Sequence, residues 1–193
     1  LSVIFGPRVI RRLISLKVGQ PIRTAAEVHK LAELHGGKIG TPTMGGLLIL
    51  TATLVPTLLW ADLRNPFIWI AVLATAAFGA IGFADDYLKI VRRSHHGLLP
   101  RYKLFWQFVV GLSVGAALMA LATHEPPLFN SQLIFPFFKR LVPSLGLGYV
   151  GFAALVLTFS TNAVNLTDGL DGLAISVFAV AAATFTALAY VST

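Results

Sequence analysis

Long apolar runs separated by short polar segments restrict the fold of this 193-residue chain more than any other feature. Hydrophobic residues make up 56% of the chain, charged residues make up 12%, and the mean hydropathy is +0.78. A soluble domain carries about 25% charged residues, whereas a helix that crosses a bilayer needs roughly 20 predominantly apolar residues. The composition therefore predicts an all-α, polytopic transmembrane helical bundle that forms one integral membrane domain over residues 1–193.

The apolar runs predict five spans, preceded by a shorter run that we interpret as the tail of another helix. The predicted tail covers about residues 1–10, and the predicted spans cover about residues 44–60, 67–84, 104–122, 148–163 and 173–193. Because the chain begins and ends inside apolar runs, we expect it to be a fragment of a longer protein.

Lysine and arginine are concentrated in the segment before the first of these spans and in the segment after the second. Twelve of the 15 lie there, and such basic loops favour the cytoplasmic side of a membrane. Alternation of the spans then brings the polar segment after the fourth span to the same side. The predicted cytoplasmic loops are about 11–43, 85–103 and 164–172, and the predicted outer connections are about 61–66 and 123–147.

The net charge of +7 is typical of nucleic-acid-binding proteins, but in a membrane protein it more often reports basic cytoplasmic loops. The chain has no basic patch interleaved with aromatic residues on a soluble domain, so we expect no nucleic-acid partner. Cysteine is absent, which excludes disulfides, thiolate metal sites and a cysteine nucleophile within the chain.

Half of the eight acidic residues fall in two clusters, and the first is an adjacent pair in FADDYLK. Asp85 and Asp86 follow an apolar run, and Lys89 shares their helix face if the helix continues. Two neighbouring carboxylates can bind Mg²⁺, or one can act as a base because the other raises its pKa. The alternative is a charged helix end that anchors the span at the membrane surface.

The second acidic cluster lies in NAVNLTDGLDGLA, where amide and carboxylate residues recur every three positions. Asn162, Asn165, Asp168 and Asp171 would form one polar stripe on a helix, and the glycines allow the backbone to approach a ligand closely. These groups suit sugar hydroxyls, the edge of a nucleobase or hydrated Mg²⁺. The alternative is a strip of hydrogen bonds between helices.

Two further segments predict anion binding. GKIGTPTMGG, at residues 37–46, combines glycines with Lys38 and Thr43, so its backbone N–H groups and one ammonium could hold an anion. It lacks the residue order of a Walker loop, and a flexible start of the next span is the alternative. The basic run over residues 89–103 would face phosphates or anionic headgroups, unless it serves only to orient the spans.

Together the motifs predict an acidic, Mg²⁺-binding pocket ringed by lysine and arginine on the cytoplasmic side of a membrane. Such a pocket suits the transfer of a phosphorylated group from a soluble nucleotide to a lipid phosphate, because a metal neutralises phosphates and positions an in-line attack.

GTPTMGG (40–46), DDYLK (85–89) and NAVNLTDGLDGLA (162–174) resemble the motifs of the phospho-N-acetylmuramoyl-pentapeptide transferases of bacterial cell-wall synthesis. These enzymes belong to the polyprenyl-phosphate N-acetylhexosamine-1-phosphate transferase superfamily. The resemblance implies a multi-pass protein of the bacterial inner membrane with about ten transmembrane helices, of which this chain would hold five to six. Its active site would face the cytoplasm.

The resemblance also implies the reaction and the partners. Phospho-N-acetylmuramoyl-pentapeptide would pass from its UDP carrier to undecaprenyl phosphate, giving lipid I and UMP in a Mg²⁺-dependent reaction. The implied partners are UDP-N-acetylmuramoyl-pentapeptide, undecaprenyl phosphate and membrane lipids, with a homodimer left open.

Site residues follow from the motif positions. The resemblance implies catalytic roles for Asp85, Asp86 and Asp168, with Asp85 favoured as the base, and metal binding by Asp85 and Asp86. It implies substrate binding by Lys38, Thr43, Lys89, Lys103, Asn162, Asn165, Gly169, Leu170 and Asp171.

Three alternatives stay open. A sister transferase that takes a UDP-N-acetylglucosamine donor shares the acidic motifs. A transporter would place its ionisable groups near the middle of the spans, and a membrane scaffold would use the motifs only as a binding surface.

The family's principal Mg²⁺ ligand, a third aspartate, and its histidine-rich motif both lie in a later cytoplasmic loop, and these 193 residues contain neither. We therefore expect a polypeptide of residues 1–193 alone to be inactive. UMP release by that polypeptide, supplied with both substrates and Mg²⁺, is the measurement, and clear turnover would contradict the expectation.

Overall fold

The computed structural model describes residues 6–8, 11–12, 45–92, 97–124, 127–135, 138, 140–168 and 172–192. Of the residues predicted above to form the site, Lys38, Thr43, Gly169, Leu170 and Asp171 lie outside the described residues.

Five helices make up most of the described chain: α1 (Gly45–Trp60), α2 (Pro66–Val91), α3 (Pro100–Ala122), α4 (Gly148–Thr167) and α5 (Leu173–Ser192). The four helices α2 to α5 are long and apolar enough to cross a membrane, whereas α1, with 16 residues, is shorter. The described part of the long α3–α4 connection contributes an isolated antiparallel bridge between Gln132 and Ser144. The prediction of an all-α, multi-pass membrane protein is confirmed.

The helices pack in chain order, since α1 contacts α2, α2 contacts α3, and α3 contacts α4 most extensively. Helix α5 contacts only the end of α4 among the described elements, and the membrane-length window of α5 has no buried residue. Large apolar side chains such as Leu59, Phe159 and Phe185 are about two-thirds exposed or more. An apolar outer surface is expected where lipid, and not water, is the solvent.

Around the acidic pair, two helices extend beyond the predicted spans. Helix α2 continues past residue 84 to Val91, and α3 begins at Pro100 and not near residue 104. The α2 helix can continue because Lys89 forms ion pairs with both acidic residues one turn earlier, so the charges offset one another on the helix surface. Helix α3 begins at a proline, whose fixed φ suits the first position of a helix.

Helix α4 also continues further than predicted, to Thr167 and not to residue 163. Its polar side chains bond to carbonyls of the preceding turn: Asn162 donates to the Thr158 carbonyl at 2.7 Å, and the Thr167 hydroxyl donates to the Ala163 carbonyl at 2.8 Å. The polar residues are therefore compatible with the helix, and residues 164–167 of the predicted cytoplasmic loop are helical.

The core of the bundle is the contact between α3 and α4. Gly111 and Gly115 are buried on α3, one turn apart, and they face Ala154 and Val150 on α4. A Cβ atom would lie 2.7 Å from the Ala154 Cα at the first glycine and 2.8 Å from the Val150 Cα at the second. Small residues at four-residue spacing let two membrane helices bring their backbones together, and this is how α3 and α4 meet.

Replacing Gly111 by alanine should destabilise the bundle, because the added methyl would overlap the backbone of α4. Overpacking of this kind costs about 1–3 kcal/mol. The control is Gly82→Ala in α2, where nothing lies within 4 Å of the added atom and alanine's better helix propensity should leave stability unchanged or slightly raised. The measurement is the free energy of unfolding of the intact protein in mixed detergent micelles. Equal stability of the two variants would contradict close α3–α4 packing.

Candidate functional site

A cavity of about 640 Å³ lies where the last turns of α2, the start of α3 and the last turns of α4 meet. Its charged and amide lining comes from all three helices, and the segment 97–100 with Leu104 forms a largely apolar wall. Five residues that the sequence predicted for the site line this one cavity: Asp85, Lys89, Lys103, Asn162 and Asn165.

The two adjacent carboxylates have different surroundings. Asp85 is 14% exposed, and its Oδ2 lies 2.7 Å from the Lys89 ammonium. Its Oδ1 accepts a hydrogen bond of 2.7 Å from the backbone N–H of Leu98. Asp86 is 34% exposed, and its Oδ1 lies 3.1 Å from the same ammonium. Asp85 is therefore held from two sides at the cavity, whereas Asp86 is the more accessible of the pair.

Gly97 allows the segment before α3 to approach Asp85. A Cβ atom at Gly97 would overlap the Asp85 carboxylate and lie 2.8 Å from the Asp85 carbonyl oxygen. Only a residue without a side chain fits there, and this fit places the next N–H group, that of Leu98, on the carboxylate. The sequence analysis missed Gly97; its position inside the basic run, three residues before Pro100, was the available signal.

Cationic groups outnumber carboxylates in the described lining. Lys89, Arg92 and Lys103 line the cavity together with one carboxylate, that of Asp85. Arg101 is directed elsewhere, with its guanidinium 5.1 Å from the centre of the Tyr102 ring. Such a cavity attracts anions, and phosphate groups form strong charge-assisted hydrogen bonds with ammonium and guanidinium groups.

The amide side of the cavity belongs to α4, and one of its amides bonds to a residue of α3 that the sequence analysis did not identify. Asn162 and Asn165 lie one turn apart and both line the cavity. The Asn162 Nδ2 donates to the Oε1 of Gln107 across the α3–α4 contact at 2.7 Å. Gln107 is 5% exposed and lies one turn before Gly111 on an otherwise apolar face, and this was the sequence signal for it.

Asp168 is placed apart from this set. It follows α4 as the C-cap residue, its backbone N–H donates to the Val164 carbonyl, and its side chain is exposed. It does not belong to the described lining of the cavity. Gly172, just before α5, has a φ of +81°, a left-handed conformation that favours glycine.

Within the described ranges, no three histidine, cysteine or acidic residues are grouped so that they could hold a metal ion. Asp85 and Asp86 are neighbours, but both oxygens of Asp85 already have partners, since one pairs with the Lys89 ammonium and the other accepts a hydrogen bond from Leu98. The described residues therefore fit at most a part of a Mg²⁺ site.

Replacing Gly97 by alanine should separate Leu98 from Asp85, because the new methyl occupies the space of the carboxylate. Loss of a hydrogen bond to a charged group should lower the free energy of unfolding by about 1.5–3 kcal/mol. Gly148→Ala is the control, since this glycine at the start of α4 has open space around it. Chemical denaturation of the intact protein in detergent is the measurement, and an unchanged midpoint in Gly97→Ala would contradict the close contact.

Comparisons with known proteins agree with the motifs. The profile of glycosyl transferase family 4 matches residues 68–193. A signature of phospho-N-acetylmuramoyl-pentapeptide-transferases, described as signature 1, matches residues 38–50.

Relatives named phospho-N-acetylmuramoyl-pentapeptide-transferase match nearly the whole chain. The protein from Citrifermentans bemidjiense is 47% identical over 192 residues, which are 100% of this chain and 51% of the relative. The protein from Koribacter versatilis is 46% identical over 207 residues, with 100% and 53% covered. The protein from Pelobacter propionicus is 48% identical over 189 residues, with 98% and 50% covered.

The chain thus spans about half the length of the curated relatives it matches. The family profile covers more than half of the chain, and the relatives bear the same name that the motifs GTPTMGG, DDYLK and NAVNLTDGLDGLA suggested. The chain therefore belongs to glycosyl transferase family 4, and its similarity to phospho-N-acetylmuramoyl-pentapeptide-transferases confirms the resemblance inferred from its motifs.

Proposed function

We propose that this protein transfers phospho-N-acetylmuramoyl-pentapeptide from its UDP carrier to undecaprenyl phosphate, releasing UMP and forming lipid I. The observation that carries the proposal is the meeting of Asp85, Lys89, Lys103, Asn162 and Asn165 around one cavity at the ends of three helices. The names of the relatives support the choice of the transferred group. The proposed location is the bacterial inner membrane, with the cavity facing the cytoplasm.

The position of the cavity suits a reaction between a soluble and a membrane-bound substrate. Its charged lining lies at helix ends, where a nucleotide can arrive from water. Its wall includes Leu98, Leu99 and Leu104. The next residue of α3, Phe105, is 58% exposed on the surface beside this wall. An apolar surface that leads to a cationic cavity suits a polyprenyl chain with a phosphate at its end. The homodimer stays a prediction.

The proposed reaction is a displacement at phosphorus. An oxygen of the lipid phosphate attacks the β-phosphorus of the UDP donor, which carries the sugar. A new P–O bond forms to the lipid phosphate, the bond between the α- and β-phosphates breaks, and UMP leaves with the electron pair. Lys89, Arg92 and Lys103 would neutralise the phosphates during this step. The reaction balances, because the two products, the lipid-pyrophosphoryl sugar and UMP, together contain every atom of the two substrates.

In this proposal Asp85 orients the lipid phosphate and accepts its proton where the phosphate arrives as the monoanion. The bonds from Leu98 and Lys89 keep its carboxylate at the cavity in one orientation. A general base must be within hydrogen-bond reach of the proton it takes, and a fixed carboxylate satisfies this requirement better than a mobile one. Asp86, which is more exposed, would hold Lys89 from the other side.

We also propose that the reaction requires Mg²⁺. Asp86 and, if Lys89 shifts, Asp85 would supply part of the ligand set, and the principal ligand would come from a loop that these 193 residues do not contain. When bound, the ion would neutralise charge on the donor's phosphates.

The distribution of charge disfavours a transporter. The charged residues of helices α1 to α5 are confined to residues 85–89 of α2 and to residues 101 and 103 of α3. Transporters bind their ions near the middle of the membrane, commonly at interrupted helices. Here the charges lie at helix ends around one cavity, which favours chemistry at the membrane surface.

Replacing Asp85 by asparagine should lower the rate of UMP release by about 100-fold or more, because the variant cannot accept a proton and pairs less well with Lys89. Asp62→Asn is the matched control. Asp62 lies in the α1–α2 connection and accepts a hydrogen bond from the backbone N–H of Arg64, so its loss should leave the rate unchanged. The assay follows UMP from the intact protein with UDP-N-acetylmuramoyl-pentapeptide and undecaprenyl phosphate. A folded Asp85→Asn variant with the wild-type rate would contradict the proposal.

A further inference from the structure

We propose that Gln107 is a positioning residue that fixes the Asn162 amide, so that Asn162 presents its hydrogen-bond acceptor, and not its donors, to an uncharged group of the nucleotide substrate. The inference rests on the proposed function for the identity of the substrate. Its geometric basis is independent of that identity.

Asn162 has two amide protons, and the structure gives each one an acceptor. Its Nδ2 lies 2.7 Å from the Gln107 Oε1 and 2.7 Å from the Thr158 carbonyl oxygen. Both donors of this side chain are therefore used inside the protein. Among the described residues no hydrogen bond reaches its Oδ1, and that oxygen is the polar atom left for the cavity that Asn162 lines.

The orientation of the amide follows from its partners. The oxygen and nitrogen of an asparagine are usually distinguished by their hydrogen bonds. A backbone carbonyl can only accept, so the atom facing the Thr158 carbonyl must be the nitrogen. The same nitrogen then requires an acceptor from Gln107, which fixes the Gln107 amide as well.

Gln107 can hold this orientation because it cannot easily move. It is 5% exposed in the contact between α3 and α4, one turn from Gly111, where the two backbones lie close together. A buried side chain in a tight contact keeps one rotamer, whereas Asn162 alone would retain the freedom of a half-buried side chain. Gln107 does not line the cavity, so it acts on a ligand only through Asn162.

The Asn162 oxygen and the cationic groups of the cavity suit different parts of a ligand. Lys89, Arg92 and Lys103 suit ionised phosphate oxygens, because such oxygens accept hydrogen bonds and cannot donate them. The Asn162 oxygen repels such atoms and selects a hydroxyl or an amide N–H instead. The sugar-nucleotide substrate carries phosphates as well as hydroxyl and N–H groups. We assign its uncharged hydroxyl and N–H groups to the α4 side.

The test compares Gln107→Met, which keeps the size of the side chain but removes the acceptor, with Gln107→Glu, which keeps an acceptor. Gln107→Met should raise the KM and the Kd for UDP-N-acetylmuramoyl-pentapeptide by about tenfold and change kcat by less than about threefold. Gln107→Glu should restore most of the affinity. Gln132→Met, in the α3–α4 connection, is the control and should match the wild type.

Two further arms separate positioning from a general structural effect. Inorganic pyrophosphate, a probe with the phosphates but without the sugar or the base, should inhibit Gln107→Met and the wild type equally. The double variant Gln107→Met/Asn162→Leu should bind the nucleotide no more weakly than Asn162→Leu alone, because Gln107 acts through Asn162.

The proposal is overturned if folded Gln107→Met binds the nucleotide like the wild type, if pyrophosphate inhibition weakens in parallel, or if the two substitutions have additive effects. Should Gln107→Met fail to fold, Asn162→Leu tests the same acceptor from the cavity side, and unchanged nucleotide binding there overturns it too. The two proposals can fail separately. If the wild-type protein releases no UMP but nucleotide binding by the variants follows these expectations, the proposed function fails and the inference about Gln107 is supported.

Discussion

The close approach of α3 and α4 is the contact on which the other features of this structure depend. Without Cβ atoms at Gly111 and Gly115, the α3 backbone lies directly against Ala154 and Val150. The hydrophobic effect offers little attraction between helices in lipid, so tight packing and hydrogen bonds must hold them. One turn from this contact, the same spacing brings Gln107 within 2.7 Å of Asn162. The glycines thus place a polar pair, as well as joining two helices.

Helix α2 is attached to the pair of helices α3 and α4 by polar contacts at the cavity. Asp85 accepts the N–H of Leu98, in the segment that leads into α3, and Lys89 bridges Asp85 and Asp86 on α2. Removing one partner of such a network would leave a charge without compensation, and that cost is larger than the gain from forming a single exposed ion pair. The residues proposed for the chemistry therefore also join α2 to α3.

The sequence was sufficient for the membrane class and for five of the residues that line the cavity, because these follow from hydropathy and from motif positions. It was insufficient where a residue's environment depends on tertiary contacts. Lys89 makes the acidic pair compatible with a continuing helix, so the helix runs beyond the span predicted to end at residue 84. Gly97 and Gln107 carry no chemical signal of their own, and their importance arises only from Asp85 and Asn162 beside them.

Helix α3 contributes both to the cavity and to the packing contact with α4. Its first turn carries Lys103 and part of the cavity wall, and its middle carries Gly111 in the contact with α4. A helix moves largely as a rigid rod over such short distances, so a displacement at Gly111 changes the distance from Lys103 to Asn162 without touching either residue. Binding of a ligand between these two side chains should, by the same reasoning, hold the helices together. A ligand that binds the folded protein at this cavity therefore adds to the stability of the bundle.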